Sequence, residues 1–252
     1  MPAETTSQKA IRNRMSVMGH LAEVQSRLIK AVAVVIVATA LAFIFAEQIF
    51  GILISRAADI DLVYIEMVEM LSTYFRVSLA AGFIVSMPYL VYHLFAFVSP
   101  ALTTKEKRYI YMALPGVTVM FLAGVAFAYF VALPPALDFL LTFGSDIATP
   151  EIRIGNYINI VTRMLLSVGL VFETPVIIMF LSRMGLVTPE WLARRRKLWV
   201  VLAFVVAAII TPTFDPINQT IIALPLIILL ELSIWLAKLA YKKRPEPPPA
   251  EA

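Results

Sequence analysis

The chain has 252 residues, 60% of them apolar and 15% charged, with a mean hydropathy of +0.85 and a formal net charge of +4. Soluble domains run to roughly 45–50% apolar and about 25% charged, so one water-soluble core could not hide this much apolar surface and a membrane protein is indicated. With no cysteine, and His20 and His93 as its two histidines, the chain excludes disulfides, thiolate zinc sites, iron–sulfur clusters and histidine-rich metal centres. Its nine glycines never fall as G-x-G-x-x-G or G-x-x-x-x-G-K, so no nucleotide phosphate is cradled, and no cofactor or metal is expected.

In chain order, an amphipathic segment comes first, at about residues 16–28. Leu21, Val24 and Leu28 share one stripe, and Glu23 stands four residues before Arg27. An interfacial helix with an ordinary i,i+4 ion pair is one account of it; a functional face is the other. A bilayer core needs about 20 mostly apolar residues per helical span. Six stretches qualify as candidates: Ile29–Ala46, Val77–Val98, Tyr109–Leu133, Tyr157–Leu181, Leu198–Ile210 and Ile217–Ala237. The small-residue spacing of Ala38, Ala40 and Ala42 resembles a cleavage signal, but the long polar leader and five further spans favour an uncleaved first helix. Residues 1–244 read as a single transmembrane domain, and 245–252 as a disordered, proline-rich tail.

Charge placement orients the spans. Most of the 21 Lys and Arg cluster before span one, after spans two and four, and after span six. The opposite side holds Arg56, Arg76, Arg153 and Arg163 among many more acids. The positive-inside rule therefore puts both termini in the cytoplasm. This asymmetry explains the isoelectric point near 9.3 without calling for nucleic acid.

Pro88, Pro175 and Pro225 lie inside spans, where each removes a backbone donor and invites a kink. Leu198–Ile210 covers only about 20 Å at 1.5 Å per residue, against a hydrocarbon core of about 30 Å. Thr211, Pro212, Asp215 and Pro216 then turn the chain straight back. Such a hairpin, with short fifth and sixth helices, either thins the bilayer locally or sits shielded behind other helices.

Four polar features could carry function. The amphipathic entry with Glu23 is the first. The second is Pro100–Arg108, in which Thr103 and Glu106 have capping-box spacing at the start of the third span; Glu106 is also one of few carboxylates on a strongly basic face. The third is Glu173 in V-F-E-T-P-V, deep in span four. If charged it costs about 2.5–3.5 kcal/mol there, and a neutral acid bonded to carbonyls freed by Pro175 is an alternative to a functional role. Glu231 in span six is a lesser case of the same kind. The fourth, Glu66 with Glu69 and Arg76, reads as loop structure.

An enzyme finds little support. No Asp lies within the six spans so drawn, no H-E-x-x-H occurs, and spacing points His93 to no partner, so it reads as packed or interfacial. A proton-coupled carrier of a small solute is the stronger alternative, resting on the Pro-broken helices and Glu173, although no two halves match as inverted repeats.

A run of motifs across residues 16–244 resembles the TatC family, the receptor subunit of the twin-arginine protein translocase. H-L-A-E-V-Q-S-R-L, A-F-V-S-P-A-L followed by K-E-K-R, G-V-A-F-A-Y-F-V-A-L-P, F-E-T-P-V, M-G-L-V-T-P-E-W-L-A-R-R-R and I-T-P-T-F-D-P-I-N-Q-T occur in the family's order. Gln25 stands where the family often has arginine, and Thr104 where another basic residue is common.

The resemblance implies an all-α integral protein of the cytoplasmic (inner) membrane: a concave, cupped bundle of six transmembrane helices. It implies recognition of twin-arginine signal peptides on folded cargo and assembly with TatA-like and TatB-like single-span proteins and with further copies of itself. Export would be driven by the proton-motive force. By the same resemblance Glu23 and Glu106 would take the arginine pair, Glu173 would line an intramembrane polar groove, and Thr211 and Gln219 would meet a polar group on a partner helix. A planar guanidinium fork fits a carboxylate bidentately, as an ammonium cannot.

Overall fold

The long apolar stretches fold as helices, because a backbone in hydrocarbon must satisfy its own polar groups. The computed structural model describes residues 6–57, 62–98, 104–147, 150–213 and 215–241, and their side chains except at 6–21, 23, 57, 97–98 and 104–113. The tail at 245–252 and Thr103 of the capping-box reading lie outside the described residues.

The first helix, α1 (Thr6–Ile44), carries the amphipathic segment and the first span as one continuous element. A short helix follows, α2 (Ala46–Ile54), which sequence periodicity did not single out. Next come α3 (Glu69–Val98) and α4 (Thr104–Phe127), then a π-helical turn at Ala128–Ala132 and α5 (Leu133–Thr142). Pro134 and Pro135 sit in the first turn of α5, where a missing N–H is tolerated, and the widened turn before it absorbs the change of register. The third apolar passage therefore runs on to Thr142 instead of stopping at Leu133.

Pro175 divides the fourth passage into α6 (Ile154–Phe172) and α7 (Thr174–Arg183). After α8 (Pro189–Arg194) come α9 (Arg196–Ile210) and α10 (Pro216–Ala240). Two two-residue strands, β1 (Leu62–Val63) and β2 (Ile152–Arg153), pair in parallel with Leu62 opposite Ile152. They tie the segment before α3 to the start of α6.

Among the described residues, five stretches are long and apolar enough to cross a membrane: Val24–Ile44, Glu69–Ala96, Leu114–Thr142, Ile154–Arg183 and Pro216–Ala240. With 15 residues, α9 reaches only about 22 Å and is the short element that the sequence suggested. The sixth helix is not short. α10 has 25 residues and continues through Pro225, as membrane helices can when neighbouring groups re-satisfy the freed carbonyl.

The core is centred on α6. Its Ile158, Val161 and Val168 are fully buried against Val77 of α3, Ala128 and Ala132 of the π turn, Ala203 and Ala207 of α9, and Ala223 of α10. Small residues let these helices approach closely. A Cβ on Gly169 would lie 2.8 Å from Phe121, and one on Gly82 only 2.6 Å from the Thr39 backbone nitrogen. That second approach seats α1 along α3; the span within α1 contributes no buried residue of its own.

Candidate functional site

The Gly82–Thr39 contact fixes the relative height of α1 and α3. Glu23 lies as far before Thr39 on α1 as Val98, the last residue of α3, lies beyond Gly82. Because Phe43 of α1 meets Phe75 of α3 at 5.2 Å while Thr39 meets Gly82, the two helices run antiparallel. Glu23 is therefore level with the end of α3. Glu106 falls in the first turn of α4, just beyond that same end. The backbone thus brings residues Glu23 and Glu106 to one end of the bundle; their side chains are not among those described.

Glu173 occupies the junction between α6 and α7. It is 3% exposed, and its Oε1 has no hydrogen-bond partner among the described residues. The carbonyl that Pro175 frees, that of Val171, is taken by the Thr174 hydroxyl at 2.6 Å. Glu173 is therefore not the group that repairs the proline break, which corrects that alternative. A neighbour with a shorter reach does so, leaving a buried carboxyl whose Oε1 meets no donor among the described residues.

The α9–α10 turn is stitched from within. The Thr211 hydroxyl is buried and donates to the Ala207 carbonyl at 2.8 Å; Gln219 Nε2 donates to the Phe204 carbonyl at 2.9 Å. Gln219 keeps its Oε1 as an acceptor without a partner among the described residues. Arg163 Nη2 donates to the Ile209 carbonyl at 2.9 Å, a cation at the C-terminus of a helix. Arg163 therefore belongs to the interior of α6, not to a loop beside the membrane. Its place within Tyr157–Leu181 was the signal that could have flagged it.

At the opposite end of α9, Arg196 Nε and Nη2 meet Glu231 Oε1 and Oε2 at 2.8 and 3.0 Å. Glu231 is thus a half-exposed, bidentate partner and not a second buried acid like Glu173. His93 stands edge-on to Tyr89 and Tyr92, with neither ring nitrogen bonded among the described residues.

The cluster read as loop structure gains the member that sequence spacing missed. Glu69 accepts from Arg153 Nε and Nη2, and from the backbone N–H groups of Ile65, Glu66 and Gly155. Arg76 donates to the Gly155 carbonyl at 3.1 Å. The bonds from Glu69, and then from Glu66, hold the Arg153 guanidinium even more firmly protonated than usual. With every member satisfied, this is a scaffold joining two loops.

The family model described as Sec-independent protein translocase protein (TatC) matches residues 19–225. The chain belongs to the TatC family. A TatC of Aquifex aeolicus is 38% identical over 238 residues, covering 92% of this chain and 98% of the relative. TatCd of Bacillus subtilis is 36% identical over 227 residues, covering 90% and 93%. The crystal structure of a twin-arginine translocase receptor, TatC, is similar with a TM-score of 0.74 at 38% identity, over 88% of this chain and 99% of that one. A second, in DDM, gives 0.77 over 86% and 99%. The chain is accordingly a multi-pass membrane component of the Sec-independent translocase, a transport family and not an enzyme family; the solute-carrier alternative is not favoured.

Proposed function

We propose that this TatC-family chain is the signal-peptide receptor of its translocase and that Glu23 and Glu106 together hold the twin arginines of a folded cargo protein. The observation that carries the reading is that the backbone positions of Glu23, on α1, and Glu106, at the start of α4, fall at one end of the bundle. That end carries most of the basic residues, which by the positive-inside rule makes it cytoplasmic, with both termini. Isolated acids in a basic surround favour a ligand whose guanidinium forks match them one for one. The missing phosphate-binding motifs accord with export driven by the proton-motive force.

In this reading Glu173 offers a polar point within an intramembrane groove of a concave bundle, supported by its burial and unpaired Oε1. Thr211 and Gln219 flank the α9–α10 turn, and the free Gln219 Oε1 is the acceptor a TatA-like or TatB-like helix would reach. Assembly with further copies of the chain completes the receptor.

Titration of a twin-arginine peptide onto detergent-solubilised protein tests the site. Each charge-assisted bond is worth about 1.5–3 kcal/mol, so Glu23→Gln and Glu106→Gln should each weaken binding roughly ten- to a hundredfold. A twin-lysine peptide should lose less. Parent-like binding of the twin-arginine peptide by both variants would reduce the carboxylates to helix capping and ion pairing.

A further inference from the structure

The outward face of α6 changes character part-way along. From the β2 end inward it shows Asn156, Asn159 and Arg163, all exposed; beyond Arg163 it shows Leu166, Leu170 and Val171. The change comes about 13 Å along the helix from Ile154 at 1.5 Å per residue. Through its bond to the Ile209 carbonyl, Arg163 also marks where α9 stops. A polar strip thus descends nearly half the thickness of a ~30 Å hydrocarbon core, beside a helix too short to cover it.

An exposed guanidinium at that depth is costly unless a polar group meets it. No carboxylate pairs with Arg163 among the described residues, and Asp215, the acid of the nearby turn, accepts the Asn218 N–H at its Oδ2 (3.0 Å). Ile209 takes one of five guanidinium donors. The others, with two asparagine amides, call for an anion offering several acceptor oxygens. Ile209 of α9, level with Arg163, and Leu170 of α6 and Val205 of α9, beyond it, are exposed and apolar, so the anion that fits best carries acyl chains.

We propose that Arg163, Asn159 and Asn156 bind the headgroup phosphate of a phospholipid drawn down into the leaflet at the β1–β2 end, its chains lying against α6 and α9. A free phosphate ion offers the same oxygens but makes no use of these apolar residues. The site is independent of the signal-peptide reading and lies away from Glu23 and Glu106.

Native mass spectrometry of the purified full chain tests it, with phosphatidylglycerol, a phosphate-free galactolipid and inorganic phosphate as probes. Arg163→Gln leaves a polar amide on the strip but loses the charge and the reach to Ile209; Asn159→Leu leaves the α9 contact untouched. Phosphatidylglycerol retention should fall about tenfold in the first, as expected for loss of a charge-assisted contact, and measurably in the second. Galactolipid retention should stay unchanged in both. Parent-like phosphatidylglycerol retention in both variants would overturn the proposal and leave Arg163 as a helix cap only. So would equal loss of the galactolipid, or displacement of the lipid by inorganic phosphate. If Arg163→Gln does not fold, Asn159→Leu alone decides.

Discussion

Arg153, the residue before α6, grips Glu69, the first residue of α3, with Nη2 3.0 Å from Oε2 and Nε 3.3 Å from Oε1. Glu69 is only 6% exposed and also holds three backbone N–H groups, so one carboxylate organises two loops distant in sequence. Glu69→Gln should lower the midpoint of thermal unfolding in detergent by several degrees. Arg153→Lys should lower it too, because an ammonium cannot reproduce the fork. An unchanged midpoint in Glu69→Gln would mean that the β1–β2 pairing holds the loops unaided.

Close packing of α1 on α3 gives a second expectation. A Cβ on Gly82 would meet Thr39 backbone atoms at 2.6 and 2.7 Å, whereas one on Gly116 would meet nothing within 4 Å. Gly82→Ala should cost about 1–3 kcal/mol, the usual range for overpacking. Gly116→Ala should be neutral or stabilising by about 0.5–1 kcal/mol, since alanine is the better helix former. Matched unfolding curves for the two variants are the check, and equal midpoints would show that α1 yields freely.

Glu173 should matter through polarity more than charge. It is buried, has no basic partner among the described residues, and does not repair the Pro175 break. Cargo export from cells holding equal amounts of each variant should therefore survive Glu173→Gln better than Glu173→Ala. Equal loss in both would point to an ionised or proton-carrying group instead.

The Arg196–Glu231 fork anchors the start of α9 to α10. Both side chains are about half exposed, so their coupling should be modest: about 0.2–1 kcal/mol in a double-mutant cycle, towards the upper end for a bidentate pair. Export should fall less in the double alanine variant than the two single losses together imply. Strict additivity would show that the fork does not position α9.

Much of this molecule was legible in its sequence because hydrocarbon admits so few backbone solutions. Apolar run length alone located the long helices, and the short α9 (Arg196–Ile210) was foreshadowed by the short apolar run Leu198–Ile210. The ordered motifs identified the family and named Glu23, Glu106 and Glu173 as the residues to follow. Spacing along the chain could not show which groups meet across it. Arg153 finds Glu69 and Arg196 finds Glu231 only when separate helices pack, and the Thr174 hydroxyl takes the Val171 carbonyl that Pro175, lacking an N–H, leaves open. The length of α10 and the passage through Pro134 and Pro135 were likewise set by packing, since neighbours decide whether a proline ends a helix or merely reshapes it. Hydropathy determined what enters the bilayer; side-chain contacts between helices, which depend on three-dimensional distance and not on sequence separation, decided how the polar residues inside it are satisfied or left free.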